Sequence, residues 1–264
     1  MAVTDVADIR IDLPEGFLFA RRWTPDTIKS DEPLILIHDS LGSVEQWRAF
    51  PERLAEVLTR PVMAYDRLGF GQSSARSKLP SIHFIEEEAT HYFPHIYQAL
   101  GLNNFSLFGH SVGGAMALNI AAQYPNQCKA VVTESAQAFV EDRTRDGIQK
   151  AKISFENEEH LAKLRKWHSE KAEWVLKAWT DVWLSKEFSN WQLKPALGKV
   201  ASPTLIIHGE NDEFGSQAFP NLIESNVKGP AAKKYLSEIG HVPHRENPEL
   251  ILKLVSHFFA KFQI

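Results

Sequence analysis

Phe105-Ser106-Leu107-Phe108-Gly109-His110-Ser111-Val112-Gly113-Gly114 decides how the rest of the chain is read. Its first four residues have the composition and length of a buried strand. Ala115, Met116, Ala117, Leu118, Ile120 and Ala121, closed by Pro125, predict a buried helix of small residues. Between the two stands G-x-S-x-G. A strand that passes into a helix through so short a turn needs glycine on both sides, because a Cβ there would strike neighbouring backbone. The serine at the apex then projects into open space. The bare pentapeptide arises by chance in Gly- and Ser-containing loops; the strand before it and the helix after it make Ser111 a candidate nucleophile. Gly113 and Gly114 allow the helix to lie close on the sheet.

Outward from this centre, strand patterns recur. Ile9-Arg10-Ile11-Asp12-Leu13 alternates as a half-buried strand, Pro14-Glu15-Gly16 reads as a turn, and residues 17–23 complete a β-hairpin. Leu34-Ile35-Leu36-Ile37 is continuously apolar, as expected of a strand covered on both faces. Pro51 opens a predicted helix with Leu54, Val57 and Leu58 on one face, and Val62-Met63-Ala64-Tyr65 is a further short strand. Residues 85–99 predict a helix kinked at Pro94 and closed by Gly101, with His91 and His95 as surface or packing residues. Ala130-Val131-Val132-Thr133 continues the buried strands and ends at Glu134, a position where open α/β sheets place ligands. Residues 203–208 and 233–236 return to the strand pattern. A final helix starts at Pro248, capped by Asn247, with Leu250, Ile251, Leu254, Val255, Phe258 and Phe262 as its expected buried face.

Residues 137–194 break the series. Helical periodicity replaces strands, most clearly over 158–186, and five of the seven tryptophans (Trp167, Trp174, Trp179, Trp183 and Trp191) fall there. The segment reads as a helical layer pinned by aromatic packing, from which one or two tryptophans could face Ser111 and shape an apolar pocket.

Gly109-His110-Ser111-Val112-Gly113 resembles the nucleophile elbow of the α/β-hydrolase superfamily, and other segments are similar to its pattern in the same order: residues 38–43, 66–73, 209–212 and 240–241. The resemblance covers nearly the whole chain. It implies an α/β fold with a mostly parallel central sheet flanked by helices, a core domain of residues 1–136 and 195–264, and a helical cap, 137–194, inserted after the sixth strand. It also implies a triad. The G-x-x-D turn after the apolar run at 203–208 points to Asp212 as the acid rather than its neighbour Glu213, with Glu134 in reserve. The Gly240-His241 pair makes His241 the base, leaving His244 as a rim or loop-bracing residue. The loop His38-Asp39-Ser40-Leu41-Gly42-Ser43 supplies one oxyanion donor, the Ser40 backbone N–H, and Val112 N–H the other. Asp66 and Arg67 are read as structural, bonding backbone beneath the site. Asp39 departs from the family, which usually has glycine there; the expectation is that its carboxylate turns to local backbone N–H groups, and the alternative is that it points inward and favours substrates without a negative charge near the scissile bond.

The chemistry follows from pKa. A serine hydroxyl needs an imidazole to take its proton, and the imidazole needs a carboxylate to fix its tautomer. No metal or organic cofactor is required. Serine at the elbow, where relatives that open epoxides or displace halides carry aspartate, directs the reading to hydrolysis of a small-molecule carboxylic ester or thioester. Carbon–carbon bond hydrolysis or a related lyase reaction is the alternative on the same triad, and a small-ligand receptor with slow or no turnover is the competing class.

Composition agrees with one enzyme-sized core. The chain has 264 residues, 44% of them hydrophobic, enough for a single α/β unit. Its formal charge of −4 is spread without a basic tract, so no nucleic-acid partner is expected. Cys128 is the sole cysteine, which excludes an intrachain disulfide and suits a packing role. Residues 1–10 show no apolar leader and no segment has the length of a membrane span, so a cytoplasmic protein without a membrane partner is expected. Oligomeric state is silent.

Overall fold

The computed structural model describes residues 4–264, so the first three residues of the expected core stretch and of its leader reading lie outside the described residues. β1 (Asp5–Leu13) and β2 (Gly16–Thr24) form the antiparallel hairpin, and β2 continues antiparallel onto β4 (Val62–Tyr65). β3 (Leu34–Ile37), β4, β5 (Phe105–His110), β6 (Cys128–Glu134), β7 (Thr204–Gly209) and β8 (Ala231–Leu236) are mutually parallel. The sheet order is β1-β2-β4-β3-β5-β6-β7-β8. From β3 the chain moves outward to β4 and then returns across β3 to β5, so the order reverses between β3 and β5. Loops leaving the carboxyl ends of strands on either side of such a reversal diverge and open a crevice between them. Both expected oxyanion donors and Ser111 lie on those two loops.

Both faces of the sheet are covered, which explains the continuous apolar runs. Ile35, Ile37 and Leu107 join the core built on α4 (Val112–Gln123), whereas Leu34, Leu36, Phe108 and Val132 join the opposite core, built on α1 (Phe50–Leu58) and a C-terminal helix. Alternation of side chains along each strand thus feeds two cores from one apolar run.

The remaining helices can be taken in chain order. Phe84–Glu87 (α2) and Phe93–Ala99 (α3) are joined by a π-helical turn at Glu88–Tyr92, so the irregularity expected at Pro94 is realised one turn earlier, and Pro94 sits in the first turn of α3. Between β6 and β7 come α5 (Asp142–Ser154), α6 (Glu158–His168), α7 (Ala172–Trp183) and the short α8 (Lys194–Leu197). The periodic stretch 158–186 is therefore not one helix. It breaks at Ser169, whose φ of 52° cannot continue an α-helix, and a single 3-10 turn joins the two halves. After β7 follow α9 (Ala218–Asn226), α10 (Pro243–Glu246) and α11 (Pro248–Phe262).

Two helix faces differ from the sequence reading. In α1 the core takes Phe50, Leu54 and Ala55, and Val57 is exposed. In α11 it takes Ile251, Leu252, Val255, Phe258 and Phe259, leaving Leu250, Leu254 and Phe262 half-buried. Each sequence admits two apolar stripes one residue apart, and docking against the sheet selects between them. Among the described residues no helix is long and apolar enough to cross a membrane.

The turn from β5 into α4 leaves no room for side chains beside its backbone. Ser111 has φ 55° and ψ −124°, a strained conformation for a residue with a side chain. A Cβ on Gly109 would stand 2.2 Å from the Gly113 carbonyl oxygen, and one on Gly113 would stand 2.2 Å from the Ile37 carbonyl oxygen of β3. Backbone cannot yield as a flexible side chain can. Gly113→Ala is therefore expected to cost about 3 kcal/mol, the upper end for overpacking, measured by denaturant unfolding; a variant as stable as the parent would contradict this account of the turn.

Candidate active site

Ser111 sits at the apex of that turn and is buried except for the face toward a cavity. Its Oγ is 3.0 Å from Nε2 of His241, in the loop after β8. Nδ1 of the same ring is 2.8 Å from Oδ1 of Asp212, in the turn after β7. Oδ1 also accepts the Phe214 N–H at 2.8 Å, and Oδ2 lies 3.5 Å from His208 Nε2, whose N–H goes to the Gly215 carbonyl. Burial pushes the Asp212 carboxyl up, but the His241 charge and bond, with His208 and the Phe214 amide, outweigh it and hold Asp212 below its ordinary value. An ionised Asp212 fixes Nδ1 as the protonated nitrogen and leaves Nε2 free to accept from Ser111. Glu213 points to solvent and takes no part.

Of the two expected oxyanion donors, Val112 follows Ser111 in the chain and Ser40 lines the same cavity. Val112 opens α4 and Ser40 follows β3; neither amide is given to an acceptor among the described residues. The Ser40 loop is built from below. Asp66 accepts from the Val44 and Gln72 amides at 2.6 and 2.7 Å, and Arg67 donates to the Asp39 carbonyl at 2.8 Å. Asp39 follows only half of its expectation. Oδ1 takes the local Leu41 N–H at 2.7 Å, whereas Oδ2 reaches across to His110 Nδ1 at 3.2 Å.

Beside Ser111, His241 and Asp212 lies a second carboxylate–histidine pair. Glu134, which ends β6, accepts from His244 Nδ1 at 2.5 Å and makes no contact with His241. His244 is not a rim residue: α10 buries it against Trp47 and Phe50. Burial keeps its ring below the usual histidine range despite Glu134, so it is neutral. His110, Glu134 and His244 each bring a ligand-type atom within 4.8 Å of the others. Both His110 nitrogens are already engaged, by Asp39 and by the His241 carbonyl oxygen at 2.8 Å, which makes the trio a hydrogen-bonded cluster rather than a ready metal cage. The sequence reading passed over His110, which looks like a mere spacer in G-x-S-x-G.

The cavity over Ser111 measures about 290 Å³. α5 contributes Ile148 and Ala151, α7 contributes Trp179 and Trp183, and Leu41, Phe155, Phe214 and Val242 complete a mainly apolar lining. Gln46, Gln137, Thr144 and Arg245 supply polar groups. Trp167, Trp174 and Trp191 lie elsewhere. Phe214 packs edge-on to His241, with ring centres 4.8 Å apart, and nothing in the sequence marked it beyond its place after the acid turn.

The helical layer is stitched to the loops beneath it. His168 ends α6 fully buried; its Nδ1 accepts from the Gly71 N–H at 2.9 Å and its Nε2–H donates to the Leu41 carbonyl at 2.9 Å. Lys171 gives its ammonium to the carbonyls of Gly71 and Ser73 at 2.6 and 2.5 Å. On the far side, Arg143 and Thr144 of α5 donate to the Asp212 and Phe214 carbonyls at 3.1 and 2.7 Å.

A family model described as the alpha/beta hydrolase fold matches residues 32–236. The chain is similar to the 1-acylglycerol-3-phosphate O-acyltransferase ABHD5 of Mus musculus, 31% identical over 124 residues, which is 46% of this chain and 35% of that protein. The chain therefore spans about a third of the length of that relative. Lipase 1 of Psychrobacter immobilis is 25% identical over 235 residues, 80% of this chain and 72% of the lipase. Among solved structures, a bacterial membrane phospholipase A superposes with a TM-score of 0.77 at 19% identity, covering 98% of this chain and 87% of its own. At that identity the likeness concerns the fold.

His168 makes acid the condition that loosens this site. Burial pulls its pKa from 6.5 down to about 4, since its Nδ1 must stay unprotonated to accept from Gly71. The unfolded chain then binds the proton first, so stability is complete above about 6.5 and is lost as pH falls toward 4. The His168 share is about 3 kcal/mol. Thermal unfolding across that range should show the loss, and His168→Gln, which keeps one donor and one acceptor, should flatten it. An unchanged slope in the variant would remove His168 as its cause.

Proposed function

The chain belongs to the alpha/beta hydrolase fold family, and from that premise we propose that it is a serine hydrolase that cleaves a small-molecule carboxylic ester or thioester through an acyl-enzyme. One observation carries the reading: Ser111 Oγ, His241 and Asp212 form a continuous chain of contacts at 3.0 and 2.8 Å on the floor of an apolar cavity. Family membership and the lipase-named relative support hydrolysis at the coarser level.

In the proposed reaction His241 takes the Ser111 proton as Oγ attacks the carbonyl carbon, and the oxyanion accepts from the Ser40 and Val112 amides. Both amides are without an internal acceptor among the described residues, and the Val112 amide lies at the positive end of a twelve-residue helix. Collapse of the tetrahedral adduct breaks the bond to the leaving group, which takes the proton from His241. Water then repeats the sequence on the acyl-enzyme and releases the acid. The lining favours an uncharged, apolar acyl group under Trp179 and Trp183, and residues 137–194 act as the cap that selects it.

A second reading is acyl transfer, favoured by the relative named as an O-acyltransferase. An alcohol in place of water would resolve the same acyl-enzyme into a new ester.

Steady-state hydrolysis of p-nitrophenyl esters, from two-carbon to long acyl chains, tests the proposal. Turnover should peak at one chain length, and Ser111→Ala should lower kcat by at least about 10,000-fold while the protein stays folded. Full activity in that variant, or no multiple turnover with any ester, would overturn the hydrolase reading. Added glycerol that diverts acyl groups into new esters would favour transfer. Trp183→Ala should move the optimum to longer chains by enlarging the cavity.

A further inference from the structure

We propose that His110 is a positioning residue for the reaction at Ser111, held as an imidazolium whose two N–H groups tie the elbow to the base loop on one side and to the Asp39 loop on the other. The inference rests on the serine hydrolase reading above and adds to it a residue outside the triad.

The charge state follows from the partners. Nε2 lies 2.8 Å from the His241 carbonyl oxygen, which can only accept, so Nε2 carries a proton. Nδ1 lies 3.2 Å from Asp39 Oδ2, while the other Asp39 oxygen accepts the Leu41 amide. Burial alone would push the Asp39 carboxyl up, but the His110 bond and charge hold it well below the usual carboxylate range. The Leu41 amide favours the ionised form of Asp39 independently of His110, and a carboxylate oxygen can only accept, so Nδ1 also carries a proton; a ring with two N–H groups is a cation. Burial opposes that cation; the Asp39 bond and charge, with Glu134 behind them, outweigh burial and raise His110 above its ordinary value.

The surroundings suit a buried cation. The ring is 2% exposed and faces two carboxylates, Asp39 and Glu134. His244, with its ring centre 5.2 Å away, is neutral and turned to Glu134. His241 stands 5.1 Å away, centre to centre, and Trp47 presents its ring at 6.4 Å. A charge paired on this scale is stable only because both N–H groups have acceptors.

The consequence concerns placement. The loop that carries His241 is tied to the Asp212 turn by the Asn211 amide on the Ile239 carbonyl at 2.8 Å, to α10 through the Val242 carbonyl, and to the exposed Glu246 by the Gly240 and Val242 amides; none of these ties reaches the Ser111 turn. A charge-assisted bond to the His241 carbonyl, made from the residue next to Ser111, fixes base and nucleophile to one another directly. A displacement of 1 Å at a catalytic group costs about 100-fold in rate.

Three variants and one spectrum test this. His110→Ala should lower kcat by about 10- to 100-fold with KM within about twofold. His110→Gln, whose amide N–H can reach the His241 carbonyl without a charge, should restore most of the loss. In the parent, kcat should fall at alkaline pH as His110 loses its second proton. Asp39→Asn, which removes the carboxylate that retains the proton, should move that fall to lower pH, and His110→Gln should lack it. Long-range proton–nitrogen NMR of the imidazole at neutral pH should show both His110 nitrogens protonated. A neutral ring, a His110→Ala kcat within twofold of the parent, equal loss in the alanine and glutamine variants, or an alkaline fall indifferent to Asp39→Asn would each overturn the proposal. The spectrum needs no turnover. A protonated ring in a protein that hydrolyses no ester would overturn the hydrolase reading, and with it the catalytic half of this inference; a neutral ring in an active esterase would overturn this inference alone.

Discussion

Contact between two backbones governs this molecule: the start of α4 lies so close to the end of β3 that no side chain fits at Gly113 against the Ile37 carbonyl. That approach closes the turn in which Ser111 takes its left-handed backbone conformation. It also brings the Val112 amide opposite the loop that carries Ser40, because β3 and β5 are neighbours in the sheet. The reversal of strand order at the same point keeps the two loops from being joined by a direct crossover, and the crevice stays open. Strain at one residue is thus held by the register of several strands, none of which could relax without moving the others.

Around this fixed point, buried titratable groups are sorted by what their partners can accept or give. His168 and His244 stay neutral because burial dominates; His168 meets a partner at each nitrogen, whereas the buried Nε2 of His244 has none among the described residues. His110 differs in having an acceptor at both nitrogens. Glu134 ends β6 and Asp212 lies in the turn after the adjacent β7, and each faces a histidine, yet only His241 extends to a serine. Trp47 and Phe50 close His244 off from the cavity. Two similar carboxylate–histidine pairs therefore stand side by side, one open to a hydroxyl and one sealed. Position along the strand end does not distinguish them; what lies beyond the imidazole does.

The fold was legible in the sequence because its cause is local. Apolar runs of four to seven residues, punctuated by glycine-bearing turns, can form only doubly covered strands in this order. The switch from strand to helix at Ser111 is written in consecutive residues. The same holds for the expected site positions Ser111, Asp212 and His241, which the structure brings within hydrogen-bonding reach of one another. Features set by distant partners were not legible. The charge of His110 depends on Asp39, 71 residues away, and on a carbonyl 131 residues away. His168 reads as one polar residue on a periodic helix, and only its burial over Gly71 and Leu41 gives it a role. The faces of α1 and α11 were misjudged by one residue because two apolar stripes compete and tertiary contact decides. Of the two places the sequence allows His244, rim or loop brace, the rim does not hold: Pro243 begins a helical turn that swings the ring inward onto Glu134.

The stitching of the helical layer has a consequence for how such a protein can diversify. α5 holds the carbonyls of Asp212 and Phe214, and the segment around His168 and Lys171 holds Leu41, Gly71 and Ser73. The layer that shapes the cavity is thereby one of the supports of the loops carrying Asp212 and Ser40. It is not an interchangeable module. Exchanging it for another helical insert would alter the shape of the cavity and the placement of Ser40 and Asp212 in the same step, so variation that reshapes the cavity has to proceed by small changes at lining side chains such as Ile148 or Trp183, with the polar anchors left in place.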